Sequence, residues 1–174
     1  KHLKVNKLRV SGCEPTIGKE HLLALLGYVE ESGYPFYLET NGILLGADRN
    51  YVKRVAEFSE ILYVRVSFKA ATPEGFTSRT GAIGDYYDLP FKALRYLLDE
   101  GVYARAAAMT DPRVMSPEER DLLISMLDEI DHAADYRRTL EEEVVDMYET
   151  TAMRLRAFVD EEFARKLEEE LGRE

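Results

Sequence analysis

The sequence predicts an α/β protein: a partial (β/α) barrel of parallel strands followed by acidic C-terminal helices. Four short β-branched or aromatic segments alternate with apolar residues at helical spacing. Each segment ends in small or polar residues just before its helix, where βα folds present groups to a ligand above the sheet. After about residue 131 the alternation stops and helical spacing continues alone. At 174 residues the chain suffices for one domain with a genuine core. It is too short for a full eight-stranded barrel, which typically needs ~250 residues.

Val5 to Ser11 reads as the first strand and runs into Gly12-Cys13-Glu14-Pro15-Thr16. Gly18-Lys19-Glu20 opens a helix with Leu22, Leu25, Leu26 and Val29 on one face, closed near Ser32-Gly33. Pro35 to Thr40 is the second strand; a loop from Gly42 to Arg49 leads to a short amphipathic helix marked by Val52, Val55 and Phe58. Ile61 to Phe68 is the third strand, and its mostly apolar or β-branched run suits a sheet covered on both faces. Thr72-Pro73-Glu74 offers an N-cap and an N1 proline for a short helix, which Gly81-Ala82-Ile83-Gly84 breaks. Asp85 to Glu100 is the next helix, with Leu89, Leu94, Leu97 and Leu98 inward and Gly101 as its stop. Val102 to Met109 is the fourth strand.

Ser116-Pro117-Glu118-Glu119 has the form of a capping box with proline at N1. Leu122, Leu123, Met126, Leu127 and Ile130 follow at helical spacing. From Leu140 through Val144, Val145, Tyr148, Ala152, Leu155, Phe158, Val159, Phe163, Leu167 and Leu171 the pattern gives one or two acidic helices and no further strand. The expected organisation is a partial barrel over 1–131 and an acidic helical extension over 132–174.

The net charge of −10 is concentrated late: residues 1–115 carry +1 and residues 116–174 carry −11. That balance argues against nonspecific nucleic-acid binding, which needs clustered basic side chains. It leaves a solvated helical surface or an acidic docking face for a basic partner. No apolar run approaches the ~18 residues of a membrane span, and no charged-then-apolar signal-peptide pattern is expected from these residues. The single cysteine, Cys13, excludes an internal disulfide and fits a reducing, cytoplasmic setting. It also excludes a self-contained iron–sulfur site, which needs about four thiolates. His2, His21 and His132 are scattered, so no metal site is predicted within the chain. Gly81-x-x-Gly84 lacks the Lys-Ser/Thr of a phosphate loop. A Lys at position 1, with a strand within the first few residues, leads us to expect a piece of a longer protein.

The strand ends hold the candidate chemistry. Glu14 can accept hydrogen bonds from an ammonium, or it can serve a helix-entry turn by favouring the helix dipole. Cys13 precedes a helix N-terminus, where thiolates are stabilised, but no histidine base is in view and a lone buried cysteine is more often packing. Thr40 and Asn41 present polar groups at a strand end, or form a plain Asn-Gly turn with Gly42. Ser67 and Lys69 stand two apart on a strand and share a face. Arg105 lies mid-strand among small residues and needs a cavity or a carboxylate.

Together these tips resemble the radical S-adenosylmethionine superfamily, in the branch of activating enzymes and archaeal iron–sulfur oxidoreductases, over roughly residues 5–115. Gly12-Cys13-Glu14-Pro15 is similar to the family's Gly-Gly-Glu-Pro turn, with Cys13 for the second glycine. Thr40-Asn41-Gly42 resembles its Thr-Asn-Gly. Ser67-Phe68-Lys69 resembles its Asp-x-Lys, with serine for aspartate, followed by Thr80-Gly81. The resemblance implies S-adenosylmethionine as cofactor, bound by Gly12, Cys13, Glu14, Thr40, Asn41, Ser67, Lys69 and Arg105. Glu14 would meet the methionyl ammonium, Ser67 and Lys69 the ribose hydroxyls and carboxylate, and Arg105 the cofactor or substrate. The family's Cys-x3-Cys-x2-Cys motif for a [4Fe–4S] cluster has no match in this sequence.

The resemblance therefore implies a barrel without its first strand and cluster loop. The parent protein would generate a 5′-deoxyadenosyl radical for hydrogen abstraction, and this chain would be inactive alone, with no catalytic residue of its own. Its substrate is unspecified, a protein being one candidate. An exposed sheet edge would favour a homodimer. Two alternatives stay open. One is a non-catalytic small-molecule or protein-binding module on a degenerate (β/α) scaffold. The other is an unrelated barrel-type enzyme using Glu14, Lys69 and Arg105 as an acid–base and anion-holding set.

Overall fold

The computed structural model describes residues 5–10, 12–146, 153, 165 and 169. Among them five strands form one sheet: β1 (Leu8–Val10), β2 (Phe36–Thr40), β3 (Leu62–Phe68), β4 (Tyr103–Met109) and β5 (Glu141–Glu143). Their order in the sheet is their order in the chain, and every neighbouring pair is parallel. Sequential parallel strands joined by right-handed crossovers gather their helices on one face, the winding of a (β/α) barrel. A doubly wound sheet instead reverses its strand order and covers both faces. The sheet belongs to the first of two compact units, residues 1–143. In the second, residues 144–174, helical positions are described at Met153, Arg165 and Glu169, with Arg165 and Glu169 paired at 2.9 Å.

Helix α1 (Lys19–Ser32) ends on Gly33 in the left-handed conformation, as its sequence predicts. Its buried face is Leu22, Leu23, Leu26 and Val29, while the predicted Leu25 is 39% exposed. The segment after Gly42 forms two helices rather than one, α2 (Ile43–Ala47) and α3 (Arg49–Ala56). Asp48 divides them: its backbone is extended and its carboxylate caps Tyr51 N at 3.1 Å. Thr72 caps α4 (Pro73–Thr80) through Gly75 N. The predicted helix from Asp85 becomes a 3-10 turn at Gly84–Tyr86 followed by α5 (Leu89–Asp99), with Pro90 in its first turn.

Ser116 caps α6 (Pro117–Asp128) through Glu119 N. The reciprocal half of the predicted capping box is replaced, because the Glu119 carboxylate bonds Ala71 N and Arg79 instead. The face of α6 also rotates: Leu123, Ile124 and Leu127 are buried and Leu122 is exposed. Beyond it lie a short α7 (Tyr136–Thr139) and β5. The sheet thus runs past residue 131, and a strand stands where helix alone was expected. Leu140 packs against the core and Val144 is exposed. The expected apolar positions Tyr148, Ala152, Leu155, Phe158, Val159, Phe163, Leu167 and Leu171 lie outside the described residues, as does Ser11.

The core occupies one side of the sheet. Phe36, Leu38, Leu62, Val64, Val66, Phe68, Ala104, Ala106 and Ala108 pack with the buried faces of the helices. The alternate residues Tyr37, Glu39, Tyr63, Arg65, Ser67, Tyr103 and Arg105 are half-buried or exposed. The expectation of a sheet covered by apolar layers on both faces is therefore corrected. Tyr63-x-Arg65-x-Ser67 is the polar half of a period-two strand, as one-sided helix packing requires. β1 is an edge of the sheet with only three residues, and Lys7 before it and Arg9 within it are exposed. It offers a shorter edge for self-association than the predicted seven-residue strand, and charged residues blunt it.

Candidate functional site

The carboxyl ends of β1 and β2 are joined by the carboxylate of Glu14. Gly12 and Cys13 leave β1 with φ of 88° and 54°, two successive left-handed residues. Glycine adopts this conformation freely and cysteine does not, so the turn holds Cys13 against its preference. Cys13 is exposed, which corrects the reading of it as a buried packing residue. Glu14 caps the 3-10 turn Pro15–Ile17. Its Oε1 accepts from Thr16 N at 3.1 Å, Thr16 Oγ1 at 2.5 Å and Thr40 Oγ1 at 2.7 Å. Oε2 accepts from Asn41 N at 2.6 Å. A carboxylate offers about four acceptor positions, two on each oxygen. Oε1 is saturated and Oε2 keeps one lone pair.

Each partner of Glu14 is itself fixed. Thr40 is buried, and its hydroxyl also accepts from Gly42 N at 3.0 Å. Asn41 Oδ1 accepts from Ile43 N at 2.9 Å, so the Asn-Gly turn forms as well. Gly42 has a φ of 75°, and a Cβ there would lie 3.0 Å from Pro90 Cα. The tip of β2 is consequently pinned against α5 while the Asn41 amide and the Thr40 hydroxyl face Glu14.

At the end of β3, Ser67 and Lys69 extend the open face. Thr40 stands opposite Val66 in the register, so Ser67 follows directly beside the Asn41 turn. Lys69 Nζ lies 3.5 Å from Glu143 Oε2. Its carbonyl accepts from Arg79 Nε, and Arg79 also donates to Val114 O at 2.6 Å and pairs with Glu119. The guanidinium of Arg79 thereby locks the β3 exit to the start of α6.

Two residues below Ser67, Arg65 collects three carboxylates. Nε donates to Glu141 at 2.6 Å, Nη2 donates to Glu143 at 2.8 Å, and Nη1 lies 3.7 Å from Glu39, which also pairs with Arg9. Burial pushes the Glu143 carboxyl up, but the Arg65 hydrogen bond and the Lys69 and Arg65 charges together leave it below the usual range. On the opposite side of β5, the hydrogen bond from Arg120 holds Glu142 down to about 2, with burial opposing and Thr110 assisting.

Arg105 is not brought to the tips. It stands in register with Arg65, and its Nε donates to Tyr103 Oη at 2.7 Å. Tyr103, Tyr63 and Tyr37 form a row across β4, β3 and β2, with centroids 5.1 Å and 4.9 Å apart. The structure therefore gathers Gly12, Cys13, Glu14, Thr40, Asn41, Ser67 and Lys69 at one end of three adjacent strands and leaves Arg105 lower on the open face.

Sequence reasoning missed Arg65, Glu39 and the β5 glutamates. The period-two alternation of Tyr63, Arg65 and Ser67 could have placed Arg65 on a polar face. Glu141-Glu142-Glu143 carried no strand signal, since glutamate is depleted in strands. A groove along α4, lined by Pro73, Glu74, Thr77, Ser78 and Gly84, includes none of the tip residues. Among the described residues, no three His, Cys, Asp or Glu side chains are grouped to hold a metal ion, and no helix is long and apolar enough to cross a membrane. Comparison with protein-family models finds no match, and comparison with curated protein sequences finds none.

Proposed function

We propose that this chain is part of a radical S-adenosylmethionine protein and holds that cofactor across the carboxyl ends of β1, β2 and β3. The Glu14 carboxylate carries the reading. Four chain donors fix its orientation, and the free position on Oε2 suits one N–H of an ammonium. Gly12 and Cys13 supply exposed backbone beside it. Asn41, Ser67 and Lys69 add an amide, a hydroxyl and an ammonium along the neighbouring tips, a donor set for ribose hydroxyls and a carboxylate. Thr40, being buried, acts by positioning Glu14, and Arg105 faces the substrate side of the open sheet.

S-adenosylmethionine, reductively cleaved beside an iron–sulfur cluster, supplies a radical for hydrogen abstraction. The one thiol of this chain does not fit such a cluster, so no redox step is assigned to these residues. Their work is binding and orientation. Equilibrium dialysis with labelled S-adenosylmethionine tests the proposal. Saturable binding is expected, weakened about tenfold or more in Lys69→Met, which removes a charge-assisted contact. Unchanged binding in that variant, or none to the parent chain, would overturn it.

A further inference from the structure

The β5 strand is unusual in its chemistry: all three residues are glutamates. No apolar side chain anchors it. It is held by backbone pairing with Ala107, Ala108 and Met109, by the bond from Thr110 N to Glu143 O at 3.1 Å, and by ion pairs. Glu142 is taken by Arg120 and Thr110 on the helix side. Glu141 and Glu143 are taken by Arg65 on the open side. Half-exposed ion pairs are individually weak and screened by salt, so such a strand is held loosely compared with one that buries apolar surface.

Glu143 has a second partner. Its Oε2 lies 3.5 Å from Lys69 Nζ, the ammonium assigned above to a ligand carboxylate. The other charges described on the open face are Arg9 on β1, Glu39 on β2, Arg65 on β3, Arg105 on β4 and Glu141 on β5. Arg65 can keep Glu143 through the 2.8 Å bond while Lys69 turns to another anion.

We infer that β5 is an acidic edge strap beside the tip site, paired in the sheet with β4, with Glu143 competing against a ligand carboxylate for Lys69. The inference rests on the cofactor reading above. In the absence of ligand the strap supplies the anion that Lys69 needs; ligand entry releases that one contact while Arg65 keeps Glu143.

The test measures S-adenosylmethionine affinity by equilibrium dialysis for the unaltered chain, Glu143→Gln, Glu143→Asp, Glu141→Gln and Lys69→Met at low ionic strength. Glu143→Gln is expected to bind roughly fivefold more tightly, the worth of one half-exposed ion pair. Glu143→Asp keeps the charge but withdraws it by one methylene, and should shift affinity in the same direction. Glu141→Gln removes an equal charge away from Lys69 and should leave affinity within about twofold. Protection of the Thr110 amide against hydrogen exchange reports whether β5 remains paired in each variant. Equal affinity for the unaltered chain and both Glu143 variants, with Lys69→Met still weakened, overturns the strap and leaves the cofactor reading standing. An effect of Glu141→Gln as large as that of Glu143→Gln assigns the change to net charge and also overturns it. Absence of saturable binding throughout overturns both.

Discussion

Replacing Thr40 with valine asks whether the chain itself fixes the Glu14 carboxylate. Thr40 is 3% exposed, and its hydroxyl donates to Glu14 Oε1 at 2.7 Å while accepting from Gly42 N at 3.0 Å. Valine is close to isosteric, so no cavity opens; the loss is polar. An unsatisfied buried N–H costs about 1–3 kcal/mol, and a hydrogen bond to a charged group contributes about 1.5–3 kcal/mol. The two terms share one hydroxyl and overlap, and the added buried methyl offsets about 1 kcal/mol. A net loss of about 2–3 kcal/mol is expected. Thr40→Ser keeps the hydroxyl and deletes one buried methyl, a loss of about 1 kcal/mol. Urea unfolding followed by far-ultraviolet circular dichroism at neutral pH measures both variants. The predicted order of stability is threonine, then serine, then valine. Valine equal to the parent, or more stable than serine, would refute the claim that this hydroxyl ties the two tips together.

The Glu142 carboxyl has its pKa lowered from 4.5 to about 2, so its contribution to stability is full above the unfolded value and is lost as pH falls through the folded one. Its side chain is 39% exposed, and solvent screening limits the effect to about 1 kcal/mol. Acid titration should show the parent losing more stability than Glu142→Gln between pH 4.5 and about 2; parallel curves would contradict the assignment. Gly46 lies where α2 crosses α5, and a Cβ there would sit 2.0 Å from the Leu89 carbonyl oxygen. Gly46→Ala must push backbone from backbone, so a cost of about 3 kcal/mol is expected in the same unfolding assay. An unaltered urea midpoint would show that the helices separate freely.

Much of this fold is legible in the sequence because local signals and packing agree. Gly33, the Thr72-Pro73 pair and Ser116-Pro117 each mark a helix end that forms as read. The four strands that sequence reading finds carry leucine, β-branched or aromatic residues on the side that meets the helices, and alanines in β4. β5 escaped because polar contacts from Arg65, Arg120 and Lys69 override glutamate's poor strand preference, and those partners come from distant segments. In two helices one face position is exchanged, Leu25 for Leu23 and Leu122 for Ile124, because neighbouring aliphatic residues satisfy the same periodicity and only packing selects among them. At the candidate site, the clustering of the β1, β2 and β3 tips follows from topology. The closure of Glu14 on Thr40 and Asn41 does not, since it depends on how far β1 and β2 extend in register.

Amide chemical shifts of the labelled chain, titrated with S-adenosylmethionine, test the central claim most directly. The account predicts saturable shifts concentrated at Gly12, Cys13, Asn41, Ser67 and Lys69, the carboxyl ends of three adjacent strands. Shifts centred instead on the Tyr37, Tyr63 and Tyr103 row at the other end of the sheet would contradict it, and so would a spectrum that does not change.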